Sequence, residues 1–162
     1  KYYNKNVGDY NSYYNITLNK NCPKELLLKI TKSAIHKNMM HFGLYLNISR
    51  HKNIDIKILK LFCKSENLFI RQDLCKSNKI DLYGLCQIFD YEVYLYNKYK
   101  LLTDKFLSLT AVEIITENKI TDFILLKKIY KFIENSIFPK SYTDHIVKNI
   151  LNHPNWELKD FQ

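Results

Sequence analysis

The sequence predicts an all-α fold: degenerate two-helix repeats forming a short right-handed solenoid, or an irregular helical bundle. Three observations predict it. The 162 residues include only three Gly and three Pro against 46% hydrophobic residues, a balance that fits neither a turn-rich sandwich nor a disordered chain. From Pro23 onward apolar residues recur at helical rather than alternating spacing. An apolar pattern also echoes itself: a shift of 26 positions lays Ile54 on Ile80, Asp55 on Asp81, Leu59 on Leu85 and Phe62 on Ile88. Repeats of this length suggest stacked helix pairs, whose usual product is a binding surface.

Taken in order, residues 1–15 stand apart as a Tyr/Asn-rich lead-in. Tyr2, Tyr3, Tyr10, Tyr13 and Tyr14 lie among polar residues without a helical period, and polar termini are usually loosely held. Residues 16–162 then form one helical-repeat domain. Pro23 with Glu25 is a helix start, since the N–H that proline lacks has no partner in a first turn anyway. Leu26, Leu27, Ile30, Ala34 and Ile35 mark its inward face. The spacing predicts further helices over 39–49 (Met40, Leu44, Ile48), 55–64 (Ile58, Leu59, Phe62 inward), 68–76, 81–89 and 91–99. Thr103-Asp104 caps a run through Phe106, Leu107 and Ile115 that ends near Asn118, and Thr121-Asp122 caps another through Ile124, Ile129 and Ile137. Phe138-Pro139-Lys140 is a second proline opening, the polar stretch 141–144 offers caps before Ile146 and Ile150, and His153-Pro154 ends the helical pattern. Trp156, the only tryptophan, closes the core.

Composition narrows the function classes. No apolar stretch approaches the ~18 residues of a membrane span, and Phe123-Ile124-Leu125-Leu126 is stopped at once by Lys127-Lys128. The opening residues lack the apolar core of a secretory signal. Four cysteines (Cys22, Cys63, Cys75, Cys86) show no C-x-x-C spacing and no His partner at ligand distance, which predicts reduced thiols in a cytoplasmic protein and no metal or other cofactor. His36 and His41 lie off the i, i+4 spacing of two ligands on one helix face, and no nucleophile elbow or phosphate-cradling glycine loop occurs. The expectation is a chain without catalytic residues.

The net charge of +9 invites a nucleic-acid reading, but only Arg50 and Arg71 are arginines. Planar recognition of phosphate or guanine favours Arg over Lys. An abundance of Lys, Asn, Ile and Tyr is also what A/T-rich codons produce.

In its rhythm the sequence resembles the HEAT-like and variant leucine-rich repeat class of α-solenoids. A helix is followed by a small polar turn with Asn, then by Pro or Asp opening the next helix. Leu74-Cys75-Lys76-Ser77-Asn78-Lys79-Ile80-Asp81-Leu82 and Ile150-Leu151-Asn152-His153-Pro154-Asn155-Trp156 carry the resemblance best. It covers about 18–95 and, more loosely, 137–156, while 100–136 departs from it. It implies a curved helical stack used mainly for protein binding, and transfers no catalytic residue.

The expected function is therefore a non-enzymatic protein-binding module, most concretely an immunity or inhibitor protein with one partner, a toxin or enzyme that it inhibits. Asp90, Tyr91, Glu92, Tyr94, Tyr96 and Tyr99 are the candidate contact residues, because tyrosines offer large contact area with a polar tip. A second reading is a HEAT-like nucleic-acid binder, with Arg50, Lys57, Lys60, Lys64, Lys127, Lys128 and Lys131 as phosphate contacts. A third is a scaffold segment of a larger protein.

Overall fold

The computed structural model describes residues 10–99 and 109–156. All regular structure among them is helical: α1 (Tyr10–Leu18), α2 (Lys24–His36), α3 (Phe42–Ser49), α4 (Ile56–Lys60), α5 (Leu68–Lys76), α6 (Leu82–Tyr99), α7 (Thr110–Glu117), α8 (Phe123–Glu134) and α9 (Lys140–Leu151). The all-α expectation holds. The cap expected at Thr103-Asp104 lies outside the described residues. No described helix is long and apolar enough to cross a membrane. The chain divides into two compact units, Lys1–Ile70 and Arg71–Gln162.

In the first unit α1 packs on α2 and α3, and α2 on α4. Residues 10–15 thus belong to a packed helix and not to a lead-in. Tyr13 is fully buried and its hydroxyl bonds Ser33 Oγ at 2.5 Å. A tyrosine-rich segment hides its amphipathic character, because each phenol is apolar in body and polar at the tip. Helix α2 ends in a Schellman motif: Asn38 takes φ 53°, its N–H reaches Ile35 O, and Met39 N–H reaches Ala34 O. Asn is one of the few residues that tolerates that left-handed conformation. This closure moves the start of the next helix from the expected 39 to Phe42. The helix expected over 55–64 is α-helical only to Lys60. Beyond it Leu61, Phe62 and Cys63 continue in i→i+3 bonded turns that keep Phe62 and Cys63 buried.

The start of α4 is fixed twice. Asp55 accepts from Ile58 N at 3.1 Å and pairs with Lys24. The Lys24 hydrogen bond is the main cause that holds the Asp55 carboxyl below its usual range. A depressed carboxylate contributes stability that is present above the unfolded-state pKa and lost as pH falls through the folded one.

In the second unit α6 packs on α7 and α8, and α9 on α7 and α8. The helices expected over 81–89 and 91–99 are one, α6. Nothing at exposed Asp90 breaks the backbone, and Glu92, Leu95 and Tyr96 continue the buried face begun by Leu85, Ile88 and Phe89. Helix α9 opens at Lys140 with Pro139 as its N-cap, at the proline expected to open it, and the polar stretch 141–144 lies inside the helix and does not cap it. Trp156 does close the core: it is 8% exposed and packs on Phe123 and Tyr130.

One ion pair sits in this interior. Arg71 Nε meets Glu92 Oε1 at 2.6 Å, each side chain only 3% exposed, with the Arg71 guanidinium 5.5 Å from the Tyr91 ring. Two charges withdrawn from water hold each other, and removing one strands the other. Glu92→Ala is therefore expected to cost about 3–5 kcal/mol in urea unfolding, while the paired Arg71→Met/Glu92→Leu variant recovers most of it. Asp55→Asn, which keeps the cap and loses the ion pair, is expected to fall short of the wild type at neutral pH. That gap should close as pH drops through the carboxylate range, as read from unfolding curves across pH.

Candidate functional site

A single polar turn recurs five times among the described residues. Each turn closes with a backbone bond from the fourth residue to the first: Cys22 to Asn19, Ile54 to His51, Ile80 to Ser77, Thr121 to Asn118 and Trp156 to His153. In each, the first side chain also accepts from the N–H two residues on. The acceptors are Asn19 Oδ1 (3.0 Å), His51 Nδ1 (3.1 Å), Ser77 Oγ (3.2 Å), Asn118 Oδ1 (3.1 Å) and His153 Nδ1 (3.1 Å). Three chemically different side chains do the same job, the one known from Asx and ST turns. The residue after the turn is a helix cap in four cases. Pro23 precedes α2, Asp55 and Asp122 accept from Ile58 N and Leu125 N, and Asp81 accepts from Gly84 N at 2.8 Å.

Within each unit the turns are also joined to one another. His51 Nε2 bonds Asn19 O at 2.9 Å, and Asn53 Nδ2 donates to Cys22 O at 2.8 Å. His153 Nε2 bonds Asn118 O at 3.1 Å, and Asn155 Nδ2 donates to Thr121 O at 2.8 Å. Asn118 Nδ2 in turn donates to Cys75 O at 2.7 Å. Because Nδ1 accepts an N–H, the imidazole proton of both histidines belongs on Nε2. Both rings are buried, and both nitrogens are engaged in holding backbone.

The spelling of this device is visible in the chain, at a spacing the 26-residue echo does not reach. Asn-Ile-x-x-Asn-x-Asn at 15–21 reappears as Asn-Ile-x-x-His-x-Asn at 47–53 and 149–155. His51, which lies just upstream of the candidate phosphate stripe, is thus a buried structural residue and not a surface cation.

The candidate contact residues on α6 separate into two groups. Glu92 is buried against Arg71, and Tyr96 is buried with its hydroxyl accepting from Ile137 N at 2.8 Å. Neither reaches the surface, because both lie on the inward face of the continuous helix. Asp90 and Tyr94 are exposed, and Tyr91 and Tyr99 are half-buried. Tyr91 stacks on Tyr94 at 5.7 Å, and Lys98 Nζ lies 5.8 Å from the Tyr94 ring and 5.0 Å from that of Tyr99. Of the candidate phosphate contacts, Arg50, Lys57, Lys64, Lys128 and Lys131 are exposed and Lys60 is half-buried. Lys127 lies over the Phe123 ring at 5.5 Å.

Glu113 and Glu117 on α7 and His145 on α9 bring their ligand atoms within 4.8 Å of one another. A divalent cation could be held there. The set is largely exposed and internally bonded, His145 Nε2 to Glu113 at 3.0 Å and Asn149 Nδ2 to Glu117 at 3.3 Å. The four cysteines are free thiols, and burial pushes those of Cys22 and Cys86 up, away from the reactive thiolate. No family model, curated protein or solved structure matches the chain.

The turn bonds make a graded prediction. His51→Ala, which removes the acceptor of Asn53 N–H and the second donor to Asn19 O, is expected to cost about 1–3 kcal/mol. His51→Asn restores the bond within the turn, as Asn19 and Asn118 make it, but is too short to reach the preceding turn. Its loss in urea unfolding should fall between those of wild type and His51→Ala, and the same order should hold at His153.

Proposed function

We propose that this chain is a helical-repeat module, in the manner of the HEAT-like and variant leucine-rich repeat solenoids, that binds a protein partner and catalyses nothing. The observation that carries this reading is the fivefold recurrence of one turn, with two pairs of turns, one in each unit, joined by the same side-chain bonds. Such joints set successive helix pairs in a common register, and register is what gives a repeat protein its continuous binding surface. They also engage both ring nitrogens of the buried His51 and His153.

The contact face assigned here is the outer side of α6: Asp90, Tyr91, Tyr94 and Tyr99, with Lys98. Tyr94 is 51% exposed beside a stacked Tyr91, the kind of rigid aromatic anchor that carries interface energy. Glu92 and Tyr96 support this face from beneath. The narrower form of the reading is an immunity or inhibitor protein with a single cognate partner, a toxin or enzyme. A chain of net charge +9 then meets a partner that is acidic at the contact.

A photocrosslinking residue placed at Tyr94 tests this in cells of the native host. One discrete protein adduct is expected, lost when Tyr91→Ala is added and absent when the same residue stands at exposed Tyr142 on α9. Adducts to nucleic acid in place of protein, or the same adducts from both positions, would overturn the assignment.

A further inference from the structure

We infer that the groove between α1 and α3 is a docking site for an acidic peptide segment of a partner protein, an inference that rests on the protein-binding role proposed above. The groove encloses about 550 Å³. Tyr14 and Leu46 supply apolar wall, while Lys20, Arg50 and Lys52 stand exposed around it. No acidic residue is among those that line it. The charge around this cavity is therefore of one sign, with partly apolar walls that strengthen its field.

Two details favour an oxyanion occupant, and the apolar wall makes a peptide carboxylate fit better than a phosphate backbone. The chain has two arginines, and Arg71 is engaged with Glu92 in the interior. Arg50 is thus the one arginine at the surface, and its guanidinium matches a carboxylate through paired parallel bonds. In the same wall, Asn47 Nδ2 is covered and has no hydrogen-bond partner among the described residues. A shielded donor without an acceptor is costly, and an occupant that shifts a wall side chain by one rotamer supplies the acceptor. Side-chain adjustments of that size are common on binding. An apolar side chain against Tyr14 and Leu46, flanked by carboxylates at Arg50, Lys20 and Lys52, satisfies every group in the groove. A nucleic-acid backbone would answer the cations but leave the apolar wall unused.

The test uses the isotope-labelled full chain in an NMR titration with a short peptide of Glu and Asp around a central Leu-Phe. Its Gln/Asn counterpart and a short oligothymidylate serve as comparisons. The acidic peptide is expected to shift the Asn47 side-chain amide and Arg50 Nε–H signals, and to bind about tenfold more weakly to Arg50→Glu. Lys32→Glu, the same charge change at an exposed α2 site outside the groove, should change affinity by less than about twofold at moderate salt. Arg50→Gln, which removes the charge without reversing it, guards against a folding defect and should also weaken binding. No shift at Asn47 and Arg50, equal losses in Arg50→Glu and Lys32→Glu, or tighter binding of the oligothymidylate would each overturn the inference. Failure here leaves the crosslink at Tyr94 untouched, because that experiment reads the outer face of α6.

Discussion

The fold depends on a turn that side chains build. With three glycines in 162 residues, the chain cannot rely on glycine to close its helix-to-helix connections. The first residue of each recurrent turn instead caps an N–H two positions on, and the backbone closes around it. The aspartates that follow then open the next helix. Asn, Ser and His are interchangeable at the first position because each offers one acceptor at short reach. They differ in what remains. Histidine has a second nitrogen on the far side of its ring, and at residues 51 and 153 that nitrogen reaches the preceding turn.

Asn118 also bonds outward, its Nδ2 donating to Cys75 O, so the first residues of three turns hold backbone beyond their own turn. Asn53 and Asn155, two residues after each histidine, add a second bond to the same neighbouring turn. Backbone carbonyls at helix ends are otherwise among the hardest groups to satisfy once covered. Filling them from the side chains of the next turn removes that cost and fixes the spacing of the helices in one step. In the second unit these bonds tie the ends of α7, α8 and α9 together, and the buried Arg71–Glu92 pair sits between α5 and α6.

Helical class and most helix positions were legible because burial leaves a period in the sequence. Leu68–Lys76 was readable to the residue, and Asp122 as a cap followed from its place before Phe123 and Ile124. Three things were not legible, for separate reasons. Helix α1 was masked by tyrosines, whose apolar area is not matched by their hydropathy. The continuity of α6 turned on Glu92 and Tyr96 being buried, and only the ion pair with Arg71 and the bond to Ile137 N explain why a carboxylate and a phenol lie inside. The recurrent turn was hidden because its members vary in type and spacing, while the feature they share is a hydrogen-bonding capacity. The Asn-Ile-x-x-[Asn/His]-x-Asn spelling was the available signal. The 26-residue echo drew attention to the apolar positions between the turns instead.

The histidines show why a candidate site must be judged by bonds already made. A histidine just upstream of lysines reads as part of a basic stripe. His51 has both nitrogens bonded to backbone groups, which makes it part of the turn. His145 is exposed and bonded to Glu113 across two helices, which leaves it a surface contact. Among the described residues, two sets of exposed or half-buried polar groups bear on the partner binding proposed above. They are the tyrosines and Lys98 along α6 and the cations around the α1–α3 groove. On the proposed reading, the aromatic face and the basic groove meet different parts of one partner's chemistry, because stacked phenols offer contact area while the cations offer charge.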